Sequence, residues 1–139
     1  MKRLLFALAF LVSITAGAQS ISKERKLYEQ GMEYFNAGKP KALKCFKKAA
    51  KLDYKPAQLK LAKMYLYGFG NRVKPNMKKG MYWINMAMGS WGDDEAECVL
   101  GDYFRSKGSH DDAVYWYENA AKHGNKKAIE ILKEMKSSK

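Results

Sequence analysis

The sequence predicts an all-α fold, an α/α solenoid of stacked antiparallel helical hairpins with about seven helices. Three observations carry that prediction. A Tyr-Trp pair followed by Ala four residues after the Trp occurs at Tyr82-Trp83 and again at Tyr115-Trp116, 33 positions apart. Small and apolar residues around each pair recur in the same order: Ala57, Leu61, Ala62 and Tyr65 have the spacing of Ala96, Leu100, Gly101 and Phe104. Within each block those residues fall at helical intervals, so one face of every helix is apolar. A lone hairpin cannot bury such a face, whereas neighbours stacked in series can.

The first eighteen residues stand apart from the repeats. MKRLLFALAFLVSITAGAQS has a charged start at Lys2 and Arg3, an apolar run from Leu4 to Ile14 and small residues at Ala16-Gly17-Ala18. That layout predicts a secretory leader, residues 1–18, cut before Gln19, and the run is short for a membrane span. No cysteine follows the run, so a bacterial lipid anchor at this point is not supported. Residues 19–139 then form one helical repeat domain of about 120 residues, enough for a modest core.

The helices follow in order. A divergent first unit, 22–55, holds helices near 22–36 and 40–52. Lys41-Ala42-x-x-Cys45-Phe46-x-x-Ala49-Ala50 repeats the order of the later copies, with Cys45 at the Trp position and Asp53 where those copies carry Gly92 and Gly124. The second unit, 56–92, holds helices near 56–67 and 77–89, joined by the long loop FGNRVKPNM. The third, 93–124, holds helices near 94–106 and 110–122, with that loop shortened to SKGSH. A capping helix near 126–136 closes the series within 125–139. Ser109-x-x-Asp112 has capping-box form, and Lys122 and His123 precede Gly124 at a helix end. Pro40 and Pro56 suit first-turn positions, and Pro75 lies in the variable loop. Trp83 and Trp116 are expected to be the buried wedges of their helices, with Cys45 in the same seat.

Charge divides unevenly. From Gln19 to Gly80 there are sixteen basic and four acidic residues; from Met81 to Lys139 there are eight and ten. Such asymmetry suits an anionic partner on the basic side, although a solvated lysine face also explains it.

At Ala57-x-x-x-Leu61-Ala62-x-x-Tyr65-x-x-Gly68-x-Gly70 and Val73-x-x-Asn76-x-x-Lys79-Gly80-x-x-Trp83 the chain resembles the Sel-one-like repeat (SLR), a relative of the tetratricopeptide repeat. Ala96 to Gly124 resembles the same motif with the Gly-x-Gly loop shortened. Residues 28–54 are closer to the tetratricopeptide pattern, through Gly31, Tyr34, Gly38, Ala42, Phe46, Ala49 and Leu52-Asp53. The resemblance implies a scaffold that holds other proteins or peptides and implies no catalytic residue and no cofactor. Some secreted members carry a disulfide in each repeat. This sequence lacks those paired cysteines, so no activity of that subgroup is implied.

The residues themselves offer little chemistry. His110 and His123 are the only histidines and sit at helix ends, where capping and solvation account for them; no catalytic residue and no metal ligand set is expected. Gly68-Phe69-Gly70 lacks the third glycine and preceding strand of a phosphate loop. Asp93, Asp94, Glu95 and Glu97 complement a helix dipole and lack calcium-loop spacing. Cys45 and Cys98, the only cysteines, are expected to be free, buried thiols.

What does not repeat carries the functional expectation. Lys41, Lys44, Lys48 and Lys51 form a basic face, which is either solvated or turned to anionic envelope lipid, glycan or an acidic protein. Nucleic acid fits poorly, because arginine is scarce and the chain reads as exported. Lys60, Lys63 and Tyr67 share a face away from Leu61 and Tyr65, where first helices of stacked hairpins line a groove, and would suit an acidic or C-terminal peptide. Trp91, in an inter-repeat turn, either joins a binding surface or packs on the next turn. The expected candidates for partner binding are therefore Lys60, Lys63, Tyr67, Trp91, Lys44 and Lys48. The expected function is a periplasmic scaffold for a protein or peptide. An envelope hydrolase or glycan-modifying enzyme, and an anionic lipid or glycan binder, are the competing expectations.

Overall fold

The computed structural model describes residues 22–137; the expected leader lies outside them. Seven α-helices occur among the described residues: α1 Lys23–Asn36, α2 Lys41–Ala50, α3 Lys55–Tyr67, α4 Met77–Met88, α5 Asp94–Ser106, α6 His110–Lys122 and α7 Lys126–Ser137. The fold is all-α, as the periodicity predicts. The chain forms two compact units that divide between Tyr54 and Lys55.

The first unit is the hairpin of α1 and α2. Gly31 is the point of closest approach: a Cβ there would lie 2.7 Å from the Phe46 ring, so only glycine lets the aromatic seat against α1. Tyr28 and Phe35 close around Phe46, with ring centroids at 5.6 Å and 6.3 Å. The turn after α2 places Asp53 at φ 57, the left-handed region, in the position that Gly92 and Gly124 fill at φ 81 and φ 92. The register read from sequence therefore holds at the backbone, and an aspartate bears a conformation that costs a non-glycine residue about 1 kcal/mol.

In the second unit the hairpins α3/α4 and α5/α6 stack and α7 closes the series against α6. Leu59, Ala62, Leu66, Ile84, Ala96, Val99, Leu100 and Tyr103 make one buried cluster, and Cys98, Ala113, Tyr117, Ala120, Ala128 and Ile131 make the next. The wedge of each second helix differs from the expectation. Trp83 and Trp116 are only half-buried, whereas the residues after them, Ile84 and Tyr117, are fully buried, as is Phe46 after Cys45. Those three stand four residues after the small residues Gly80, Ala113 and Ala42, hence on the same inward stripe. Each Trp is turned about 100° away around the helix and covers the margin of the core.

Three helix starts are capped by side chains. Asn76, Asp93 and Asn125 each accept the N–H three residues on, from Lys79 at 2.9 Å, Ala96 at 3.0 Å and Ala128 at 2.9 Å. Ser109 does not cap as its motif predicts: its hydroxyl donates to Asp112 Oδ2 at 2.5 Å, so no backbone N–H is served. The long loop is ordered by its own backbone. Phe69 and Val73 exchange N–H···O bonds of 2.8 Å and 3.2 Å, and Asn76 N–H donates to Tyr65 O at 2.6 Å.

Candidate functional site

The residues singled out by sequence fall in three places. Lys60, Lys63 and Tyr67 lie on α3 in the second unit, Trp91 lies on the turn between α4 and α5, and Lys44 and Lys48 lie on α2 in the first unit.

Lys60 is half-buried and Lys63 exposed. Burial, followed by the like charge of Lys63, pushes the Lys60 ammonium below its usual range. Tyr67 meets Tyr103 of α5 edge-on at 5.9 Å. Burial first, then the Asp102 charge, pushes its phenol up. The Cys98 thiol on α5 is raised by burial and then by Asp102, while Lys127 and Lys63 pull it the other way. Groups from α3, α5 and α7 thus act on one surface, the one built by the first helix of each hairpin.

Three residues that sequence reasoning did not single out organise that surface. Asp102 receives the Tyr117 hydroxyl at 2.7 Å and the Lys127 ammonium at 2.5 Å. The hydrogen bond to Asp102 is the main cause that raises Lys127. Burial and then the same carboxylate hold the Tyr117 phenol well above its ordinary value. Asp102 is therefore committed within the chain, and α3 adds the ammonium groups of Lys60 and Lys63 to this face. Nothing in the sequence marked Asp102, because its partners stand 15 and 25 residues away on two other helices.

Trp91 is 92% exposed, so it does not pack on the neighbouring turn. The acidic run beside it does more than complement a helix dipole. Asp93 Oδ2 holds Lys55 at 2.5 Å, Asp94 accepts from Asn125 Nδ2 at 3.0 Å, and buried Glu97 meets His123 Nδ1 at 2.7 Å. His123 is accordingly a tie between α6 and α5, where sequence reading expected only a solvated helix end. Lys44 and Lys48, with Pro40, Leu43, Lys47 and Lys51, line a shallow depression on α2.

Among the described residues no group of three or more His, Cys, Asp or Glu side chains could hold a metal ion. No helix there is long and apolar enough to cross a membrane. Cys45 and Cys98 are free and buried, as expected.

A family model described as Sel1 repeat matches residues 26–54, 55–87 and 94–125. A similar curated protein is chitin synthase regulatory factor 4 of Schizosaccharomyces pombe, 29% identical over 126 residues that take in 66% of this chain. The chain spans 20% of that relative's length. No solved structure matches.

Proposed function

The chain belongs to the Sel1 repeat family, and from that premise we propose that it is a protein-interaction scaffold whose α3/α5/α7 face holds an acidic segment of another protein. The observation that carries the reading is the pair Lys60 and Lys63. Two like charges are set three residues apart on one helix face, one of them half-buried, beside the half-exposed ring of Tyr67. An arriving carboxylate relieves their mutual repulsion, and the tyrosine supplies an apolar contact next to it. Asp102 is already neutralised by Lys127, so it does not oppose an anion. A relative named as a regulatory factor of an enzyme is consistent with a chain that acts through another protein and performs no chemistry itself.

The leader-like start supports export to the cell envelope, with the mature chain beginning at Gln19 in the periplasm. Mass spectrometry of the protein from fractionated cells checks this; an intact Met1 in the cytoplasmic fraction overturns it. A second surface is favoured by the Lys44, Lys47, Lys48 and Lys51 depression, which suits anionic envelope lipid or glycan.

The scaffold reading is tested by capture from an envelope extract with the wild-type chain and with Lys60→Glu/Lys63→Glu. The expected result is a partner whose binding weakens about tenfold or more in the double variant and falls with added salt. A partner held equally by both removes this face from consideration, and turnover of an envelope polymer by the pure protein replaces the scaffold reading with an enzyme.

A further inference from the structure

The outward faces of α4 and α6 carry matched features that neither the core nor the proposed peptide face uses. On α4, Lys78, Tyr82 and Met86 stand four residues apart and form one exposed row; Tyr82 is 57% and Met86 43% exposed. On α6 the equivalent row is Asp111, Tyr115 and Asn119, with Tyr115 58% exposed and Glu118 beside it. Both tyrosines meet the following Trp edge-on at 5.1 Å, with interplanar angles of 82° and 80°. The two rings are therefore held in the same pose by half-buried indoles, which lowers the entropy lost when either is covered. At the helix starts the charges are opposite. Lys78 and Asp111 occupy the same register position and neither makes an ion pair within the chain among the described residues. Their neighbours are already engaged: Lys79 lies over the Tyr65 ring at 5.5 Å and Asp112 receives Ser109.

We propose that these two faces form a two-fold interface with a second copy of this chain, α4 of each copy lying on α6 of the other. The direction of the helices carries the step. The short turns 89–93 and 107–109 fold α4 and α6 back on α5, so α4 and α6 run in the same direction, and Trp116 packs on the cluster that Trp83 and Met88 also cover. A half-turn about an axis parallel to both helices exchanges their places without reversing them. Positions of equal register then meet: Lys78 against Asp111, Tyr82 against Tyr115, Met86 against Asn119. Symmetry makes each contact twice and closes the assembly at a dimer. Paired tyrosines supply the central apolar contact, and the ion pairs set the register at its edge. Residues 55–92 hold seven basic and no acidic side chains, so the acid that meets Lys78 has to come from another part of a chain, and Asp111 of the third repeat is at the matching register.

Sedimentation of the whole chain over a concentration series tests this, with Lys78→Glu, Asp111→Lys and the swap Lys78→Glu/Asp111→Lys. The wild type dimerises, each single reversal weakens the dimer about tenfold because two pairs become repulsive, and the swap restores it to within about threefold. All four keep the same helical circular dichroism, since both residues are exposed. A second arm uses cysteines: Tyr82→Cys/Tyr115→Cys gives a disulfide-linked dimer under mild oxidation, and neither single variant does. A wild type that stays monomeric overturns the proposal, as does a swap no tighter than the single reversals or cross-linking by one cysteine alone.

Discussion

The second and third repeats solve one packing problem in opposite ways. In α5/α6 the second helix brings a large ring, Tyr117, and the first helix answers with Gly101; a Cβ there would stand 2.5 Å from that ring. In α3/α4 the second helix brings the smaller Ile84, and the first helix carries Ala62 at the equivalent position. The glycine has moved across to Gly80, where a Cβ would meet Leu66 Cδ2 at 2.6 Å. The first unit repeats the third's solution with Gly31 and Phe46. What the repeats preserve is the summed volume between paired helices, and the identity of either residue follows from its opposite.

The largest expected effect breaks that balance. Gly101→Ala drives a methyl into a rigid buried ring, so overpacking exceeds the helix-propensity gain and lowers stability by about 1–2 kcal/mol in denaturant unfolding. Gly80→Ala meets Leu66 Cδ2 and Cγ at 2.6 Å and 2.7 Å, an aliphatic side chain that yields more than a ring but is itself buried, so the expected loss is smaller, about 0.5–1 kcal/mol. Combining Gly101→Ala with Tyr117→Ile converts the third repeat toward the second. It should cost less than the sum of the single changes in a double-mutant cycle, and additivity would remove volume compensation as the rule.

A smaller effect separates the repeats by their polar contacts. Tyr117 donates to Asp102, and Ile84 has no such bond, so Tyr117→Phe should cost about 1–2 kcal/mol at neutral pH. The phenol is raised in the folded state, so its contribution is complete below its ordinary value of 10.0 and is lost as pH rises above it, when the unfolded chain ionises first. Alkaline titration of stability should fall less steeply in Tyr117→Phe than in the wild type; equal slopes would detach the phenol from alkaline unfolding.

Smallest of the three, Asp53→Gly tests the first repeat against the other two. Replacing the left-handed aspartate with the residue the later copies use should raise stability by about 0.5 kcal/mol, read from the thermal midpoint.

The seven helices and the register of the repeats are legible in sequence because both are periodic, and the spacing alone puts Asp53 at a glycine position. The wedge was misplaced by one residue because Trp draws attention by size, whereas position on the stripe is set by distance from Gly80 or Ala113. Lys60, Lys63 and Tyr67 were legible as one helix face. Asp102, Lys127 and the Glu97–His123 tie were not, because each joins helices that local spacing does not relate. Opposed charges at Lys78 and Asp111 were visible in the aligned blocks, yet their meaning depends on which face points outward.

Trp91 gives the protein an optical property of its own. The chain has three tryptophans, and Trp83 and Trp116 are shielded against the core margin while Trp91 stands in water on its turn. A soluble collisional quencher therefore extinguishes one emitter of the native chain ahead of the other two. The red edge of the fluorescence reports the inter-repeat turn, and the blue edge reports the stacked helices.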